Sequence, residues 1–277
     1  MIKDITIGQY FAGNSTLHRM DARMKLMLTL TFMVVIFLSH NFFSLGLLAL
    51  ATIALCALSR VPAGMLLRSL RPIMILILFT SVLNLFYSGG ENPTVLLTIP
   101  LGKWQPAITL EGVYTAIFTV VRISCLIAVS SLLTYTTTPS MLTTGLERLL
   151  SPLAKLRVPV GVFAMMMTLA LRFVPTLIEE TDRIMNAQKS RGANLETGSL
   201  PQRVKAFVPV LVPLFVSAFR RAAELAYAME SRCYTGEGKR TSLKQLKLHA
   251  RDFVSAGCMA GIIGGVVVLN LFFERIM

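Results

Sequence analysis

Long apolar runs separated by short polar breaks dominate the chain. A bilayer core takes about 20 apolar residues per helix. Met24 to Leu58 is apolar except for Ser39-His40-Asn41, too long for one helix and interrupted near its middle. The pattern predicts a helical hairpin, its first span short and its second running from Phe42 to Leu58. Pro72 to Tyr87 reads as a third span, with proline at a tolerated first-turn position. The Ser88-Gly89-Gly90-Glu91-Asn92-Pro93 stretch ends it. Gly112 to Tyr135 reads as the fourth span and Phe253 to Phe273 as the last.

Thr136 to Arg251 has a different texture. Its apolar runs, Val160 to Ile178 and Val204 to Phe219, are interrupted by Arg172, Pro175, Pro209 and Pro213 and flanked by dense charge. A mid-span charge is costly in lipid, which favours a helical cytoplasmic domain over two further membrane helices. The expected fold is all-α, a polytopic membrane protein with about five transmembrane helices and a cytoplasmic helical domain inserted before the last span. Residues 1–136 form an N-terminal membrane domain with four spans, 137–251 the cytoplasmic domain and 252–277 the last transmembrane helix.

Composition agrees. Of 277 residues, 54% are hydrophobic and 15% charged, with mean hydropathy +0.67. Soluble domains carry about 25% charged residues, so a water-facing globule, a disordered chain and a collagen are excluded. There are 27 Lys and Arg against 14 Asp and Glu, a net charge of +13. Twenty-four of the 27 fall on one side of the five-span topology, among them Lys3, Arg19, Arg23, Lys25, Arg60, Arg68 and Arg71. Lys103 and Arg275 fall on the other side, and Arg122 lies within the fourth span. The positive-inside rule then places the N-terminus and the inserted domain in the cytoplasm and the C-terminus outside. Two extra spans would move Arg183, Lys189, Arg191 and Arg203 outside and weaken that asymmetry.

Candidate chemistry is sparse. Cys56, Cys125, Cys233 and Cys258 are scattered, as are His18, His40 and His249, so no metal cluster or disulfide framework is visible. Gly236-Glu237-Gly238-Lys239-Arg240-Thr241 has the wrong spacing for a Walker A loop. With no catalytic pair or nucleophile elbow either, any ATP used by a machine containing this chain is hydrolysed by another chain. Nucleic-acid binding through the basic segment lacks interleaved aromatics.

Several segments carry structural meaning. Asp21 suits an N-cap of the first helix, with Arg23 and Lys25 anchoring it at the lipid headgroups. Thr136-Thr137-Thr138-Pro139-Ser140 reads as a turn, with Ser140 capping a new helix. Pro152 and Pro159 break the stretch after it into short helices. Pro175 to Arg191 can run as one helix closed by Gly192, and Pro213 to Arg232 as another. Ala218, Ala222 and Ala226 put small residues on one face of the latter, and Gly257, Gly261 and Gly265 do so on the last span. Arg191 and Arg232, 41 residues apart, project from helix tips. Each either complements its helix dipole or offers a guanidinium to a partner carboxylate. Arg122 either faces the bundle interior or snorkels to the outer headgroups. With Asn84 it is the main basis for the alternative of a stand-alone secondary transporter or channel.

Taken in order, five segments carry a resemblance across nearly the whole chain: Leu17-His18-Arg19-Met20-Asp21-Ala22-Arg23, Thr136-Thr137-Thr138-Pro139, Ala170-Leu171-Arg172-Phe173-Val174-Pro175, Ala187-Gln188-Lys189-Ser190-Arg191-Gly192 and Ala228-Met229-Glu230-Ser231-Arg232. The chain resembles the transmembrane T component of energy-coupling-factor (ECF) vitamin and metal importers, the EcfT/CbiQ family. The resemblance implies a non-catalytic cell-membrane subunit of an ATP-driven transporter. It transmits the motion of two ABC-type ATPases to a membrane-embedded, substrate-binding S component. It implies that residues 137–251 are a coupling domain with two long helices crossing in an X, whose Ala-Arg-Gly tips sit in grooves on the ATPases. The matching positions are Ser190, Arg191 and Gly192, and Ser231, Arg232 and Cys233, with Ser in place of each Ala and Cys in place of the second Gly. ATP and Mg belong on the ATPases, and no cofactor or nucleic acid is expected on this chain.

Overall fold

The computed structural model describes residues 10–87, 95–98, 107–157, 159–193, 199–236 and 249–274. Nine α-helices and one short antiparallel ladder lie among them. Helix α1 (Ala22–Leu38) starts at Asp21, whose side chain accepts from the Arg23 N–H at 3.0 Å, as the sequence predicts. Helix α2 (Phe42–Ser59) ends at Arg60, which turns the chain in the left-handed conformation (φ 54°). Helices α3 (Ala63–Leu70) and α4 (Met74–Tyr87) meet at a 58° bend. Strands β1 (Val95–Thr98) and β2 (Ala107–Thr109) pair with Val95 opposite Thr109 and Thr98 opposite Ala107. Thr109 caps α5 (Leu110–Thr136), accepting from the Gly112 N–H at 3.1 Å.

Helix α6 (Pro139–Leu150) and a 3-10 segment (Ser151–Leu156) lead to α7 (Val160–Ser190), α8 (Leu200–Glu230) and α9 (Ala250–Glu274). The cap of α6 differs from the expected Ser140. Thr138 takes the role, its hydroxyl accepting from the Met141 N–H at 3.3 Å, because Pro139 occupies the first helical position and sets the cap two residues before Ser140.

The chain divides into two compact units. One comprises Gly8–Gly145 with Leu246–Met277, the other Leu146–Gln245. In the first, α5 packs against α1, α2, α3 and α4, and α9 packs against α1 and α2. Phe32, Val35 and Ile36 of α1, Leu48 of α2, Cys125 and Val129 of α5 and Val266 of α9 form its core. A smaller cluster joins Val61, Leu132 and Tyr135, whose hydroxyl donates to the Met65 carbonyl at 3.2 Å. Two glycines sit at close approaches, one against backbone and one against a side chain. A Cβ at Gly112 would lie 2.7 Å from the Leu85 carbonyl oxygen, and one at Gly265 would lie 3.1 Å from Leu47 Cδ2.

Five described helices are long and apolar enough to cross a bilayer: α2, α5, α7, α8 and α9; the bent α3–α4 pair is a sixth candidate. The chain is an all-α polytopic membrane protein, with additional helices ahead of its last span. Two expectations change in detail. Pro72 lies in the bend between α3 and α4 rather than opening a span, and the 14 residues of α4 reach only about 21 Å of a roughly 30 Å core. The prolines of the inserted segment do not end its helices. Pro175 sits inside α7, and Pro209 and Pro213 inside α8, so each helix runs for 31 residues.

The Gly112 approach is to backbone and cannot relax by a side-chain rotation. Gly112→Ala is expected to cost about 1–3 kcal/mol of stability, read as a lowered melting temperature in detergent. Gly261→Ala, where nothing lies within 4 Å, is expected not to lower stability and to raise it by up to about 1 kcal/mol.

Candidate functional site

The unit formed by residues 146–245 is organised by α7 and α8. Glu180 of α7 accepts from Arg221 of α8 at 3.1 Å, and Gln188 of α7 donates to the Pro209 carbonyl of α8 at 3.4 Å. One contact moves back along α7 as the other moves forward along α8, so the helices are antiparallel. The ion pair is part-exposed and contributes at most about 1 kcal/mol. The second bond has a backbone cause. Pro213 has no N–H, so the carbonyl four residues earlier, that of Pro209, lacks its helical donor. The Gln188 amide supplies one from the neighbouring helix.

Both helices end in the same way. At the end of α7, Gly192 N–H donates to Lys189 O at 2.9 Å and Ala193 N–H to Gln188 O at 3.0 Å, with Gly192 at φ 86°. At the end of α8, Cys233 N–H donates to Glu230 O at 2.8 Å and Tyr234 N–H to Met229 O at 3.0 Å, with Cys233 at φ 57°. Both are Schellman closures, offset by 41 residues. Each makes an arginine, Arg191 or Arg232, the last residue before the left-handed turn, and both arginines are exposed. The preceding serines also correspond. Ser190 donates to the Asn186 carbonyl at 3.1 Å and Ser231 to the Tyr227 carbonyl at 2.8 Å. Each hydroxyl is folded back on its own helix, which leaves a surface close to that of alanine.

The antiparallel pairing puts the two tips at opposite ends. Leu169 and Phe173 of α7 share a groove with Ala222, Ala226, Met229 and Tyr234, which sets the α8 tip beside that part of α7. Arg191 lies roughly 20 residues further along α7, a separation of about 30 Å. Ala222 and Ala226 thus line the groove shared with α7, and Ala218 is half-buried. On α9, Gly265 meets Leu47, whereas Gly257 and Gly261 have nothing within 4 Å.

The other unit places its polar residues around the two ends of α1. Lys25 is buried, not held at the headgroups as its position predicts. Its Nζ donates to the Thr136 carbonyl at 3.1 Å and to Thr137 Oγ1 at 3.0 Å, because the end of α5 presents two acceptors where the Lys25 stem leads inward. Asp252, 1% exposed, accepts from the Asp21 N–H at 3.2 Å and the His249 N–H at 2.8 Å, tying the starts of α1 and α9 together. Sequence reasoning missed Asp252; its signal was an acidic residue in the first turn of a helix. His18 Nε2 donates to the Phe11 carbonyl at 2.9 Å, so its Nδ1 accepts from Ser15 at 2.7 Å. Arg122 donates to the Ser39 carbonyl at the end of α1 and lies 4.5 Å over the Phe118 ring. That placement gives it the role of a C-terminal cap at the α1–α2 turn. Asn84 donates to Thr119 at 3.1 Å. Among the described residues, no group of His, Cys, Asp and Glu is placed to hold a metal ion.

Residues 13–243 match the family described as CbiQ, cobalt transport protein. The chain is 49% identical over 259 residues to the energy-coupling factor transporter transmembrane protein EcfT of Clostridium kluyveri, covering 93% of this chain and 94% of that one. It is 42% identical over 277 residues to EcfT of Bacillus subtilis, covering 99% and 100%. The chain belongs to the CbiQ/EcfT family. It is therefore a transmembrane coupling subunit of an ECF-type transporter, without catalytic activity of its own. Within an EcfT-type subunit, the matched closures give the arginine pair one backbone geometry despite the Gly-to-Cys difference between the tips.

A left-handed conformation costs a non-glycine residue about 1 kcal/mol or more. Cys233→Gly is expected to raise stability by about that amount, and Gly192→Ala to lower it similarly. A Cβ at Gly192 meets nothing within 4 Å, so its cost is confined to the backbone. Thermal unfolding of the purified chain measures both.

Proposed function

We propose that Arg191 and Arg232 are the contacts through which two ABC-type ATPases drive this subunit, one ATPase at each tip. The observation that carries the reading is the repeated closure. Two exposed arginines occupy the same backbone position at opposite ends of one antiparallel helix pair. A spacing of about 30 Å suits two separate partner surfaces better than one. A guanidinium at a helix end offers a planar fork of donors to a carboxylate or to backbone carbonyls in a groove, and Ser190 and Ser231 keep the flanks small.

ATP and Mg are bound and hydrolysed on the ATPases. Their closure moves α7 and α8, and the shift reorients a separate S component lying against the apolar surface of this subunit. That component carries the substrate, a vitamin or a metal ion. The N-terminus and the α7–α8 unit face the cytoplasm and the C-terminus faces outside, in keeping with 24 of 27 cations on that side. Arg122 and Asn84, the residues on which a stand-alone transporter would depend, are engaged with the Ser39 carbonyl and Thr119.

Charge reversal is the direct test. Arg191→Glu or Arg232→Glu alone is expected to weaken co-purification of the ATPases by about tenfold or more, the loss of a charge-assisted contact. The double variant is expected to abolish uptake by cells. Intact association and uptake in the double variant would overturn the assignment. Unchanged melting of the isolated chain separates lost contact from lost fold.

A further inference from the structure

A cavity of about 480 Å³ opens in the membrane unit among α1, α2, α5 and α9. It lies at the end of the bundle where α1 and α9 begin and α2 and α5 finish, and from Lys25 to Phe32 it follows α1 for about two turns, or roughly 10 Å. Its wall is almost wholly apolar, with Phe32, Leu132 and Met259 along its length. Two cations break that pattern. Arg251 is exposed at the start of α9, and Lys25 is only 5% exposed. The Lys25 ammonium has three N–H donors and two neutral acceptors, the Thr136 carbonyl and the Thr137 hydroxyl. Among the described residues no carboxylate forms an ion pair with it. Asp21, one turn back, is engaged instead in capping α1. A buried charge without a counter-charge is costly, and here it lines an apolar space.

We propose that this cavity is a binding site for an anionic phospholipid, an acyl chain lying against the apolar wall and the headgroup phosphate held by Lys25 and Arg251. The charge complementarity selects an anion, and the apolar wall behind the cations selects one that carries a hydrocarbon chain. A free phosphate would leave most of the cavity unfilled, and a zwitterionic lipid would leave the two cations without a net counter-charge. In the proposed orientation the mouth faces the cytoplasmic leaflet, where anionic lipids attract basic protein surfaces.

Cys258 lines the same cavity and is a free thiol, so its alkylation reports occupancy. The full chain, delipidated in neutral detergent, is titrated with phosphatidylglycerol, with phosphatidylcholine of the same chains, or with inorganic phosphate. Alkylation at Cys258 is then quantified by peptide mass spectrometry, and bound lipid by native mass spectrometry. Phosphatidylglycerol is expected to protect Cys258 and to stay bound, and the other two are not. Arg251→Gln, at an exposed position where folding is not at stake, is expected to raise the phosphatidylglycerol needed by about tenfold. Several results would overturn the site: equal protection by phosphatidylcholine, protection by phosphate alone, an unchanged titration in Arg251→Gln, or protection that appears only when a partner membrane protein is added.

Discussion

A helix carbonyl that loses its donor to a proline must find another or the helix bends, and α7 and α8 live under that condition. Pro175, Pro209 and Pro213 each remove one intrahelical bond. At Pro213 the replacement comes from the opposite helix, where Gln188 reaches the Pro209 carbonyl. Gln188 is also the residue whose own carbonyl closes the α7 tip by accepting from Ala193. The repair of α8 and the closure of α7 therefore meet on one residue, three positions before Arg191. Together with Glu180–Arg221, it lets two proline-bearing helices keep a set spacing between their ends.

The membrane unit solves a different problem, that of fixing where helices start inside a bundle whose walls are nearly all hydrocarbon. Apolar packing is non-directional and leaves helices free to slide. Direction comes from a few polar atoms. Asp252 links the first turns of α1 and α9, Lys25 links α1 to the end of α5, and the Phe11 N–H donates to the Tyr135 carbonyl at 2.9 Å. Arg122 does the same at the far end of α1. Each is an interaction between a side chain or N–H and a backbone end, where unsatisfied groups are unavoidable.

Much of this was readable from the residues. Hydropathy placed α2, α5 and α9 within a few residues, since long apolar runs in lipid admit little besides helix. Asp21 and Gly192 were recognisable because caps are local chemistry. What failed was non-local. Lys25 looks like a headgroup anchor until α5 is seen to end beside it with two acceptors. Pro213 looks like a break until Gln188, distant in sequence, offers a donor to the carbonyl it leaves bare. Cys233 stands where the resemblance puts a glycine, but only the fold shows that it keeps the left-handed turn; the two bonds around it are those made around Gly192. The paired roles of Ser190 and Ser231 were hidden in the same way. In the sequence they are departures from alanine, and in the fold their hydroxyls turn inward.

The two closures share a backbone but not a surface. Beyond Arg191 the chain continues with Gly192 and Ala193; beyond Arg232 it continues with an exposed thiol and the phenol of Tyr234. A partner that recognises only the arginine and the turn sees the tips as equivalent. One that also reads the next two residues sees a smooth edge at one end and a bulky, polarisable one at the other. A single polypeptide therefore carries one backbone device twice, with a different chemical face on each copy.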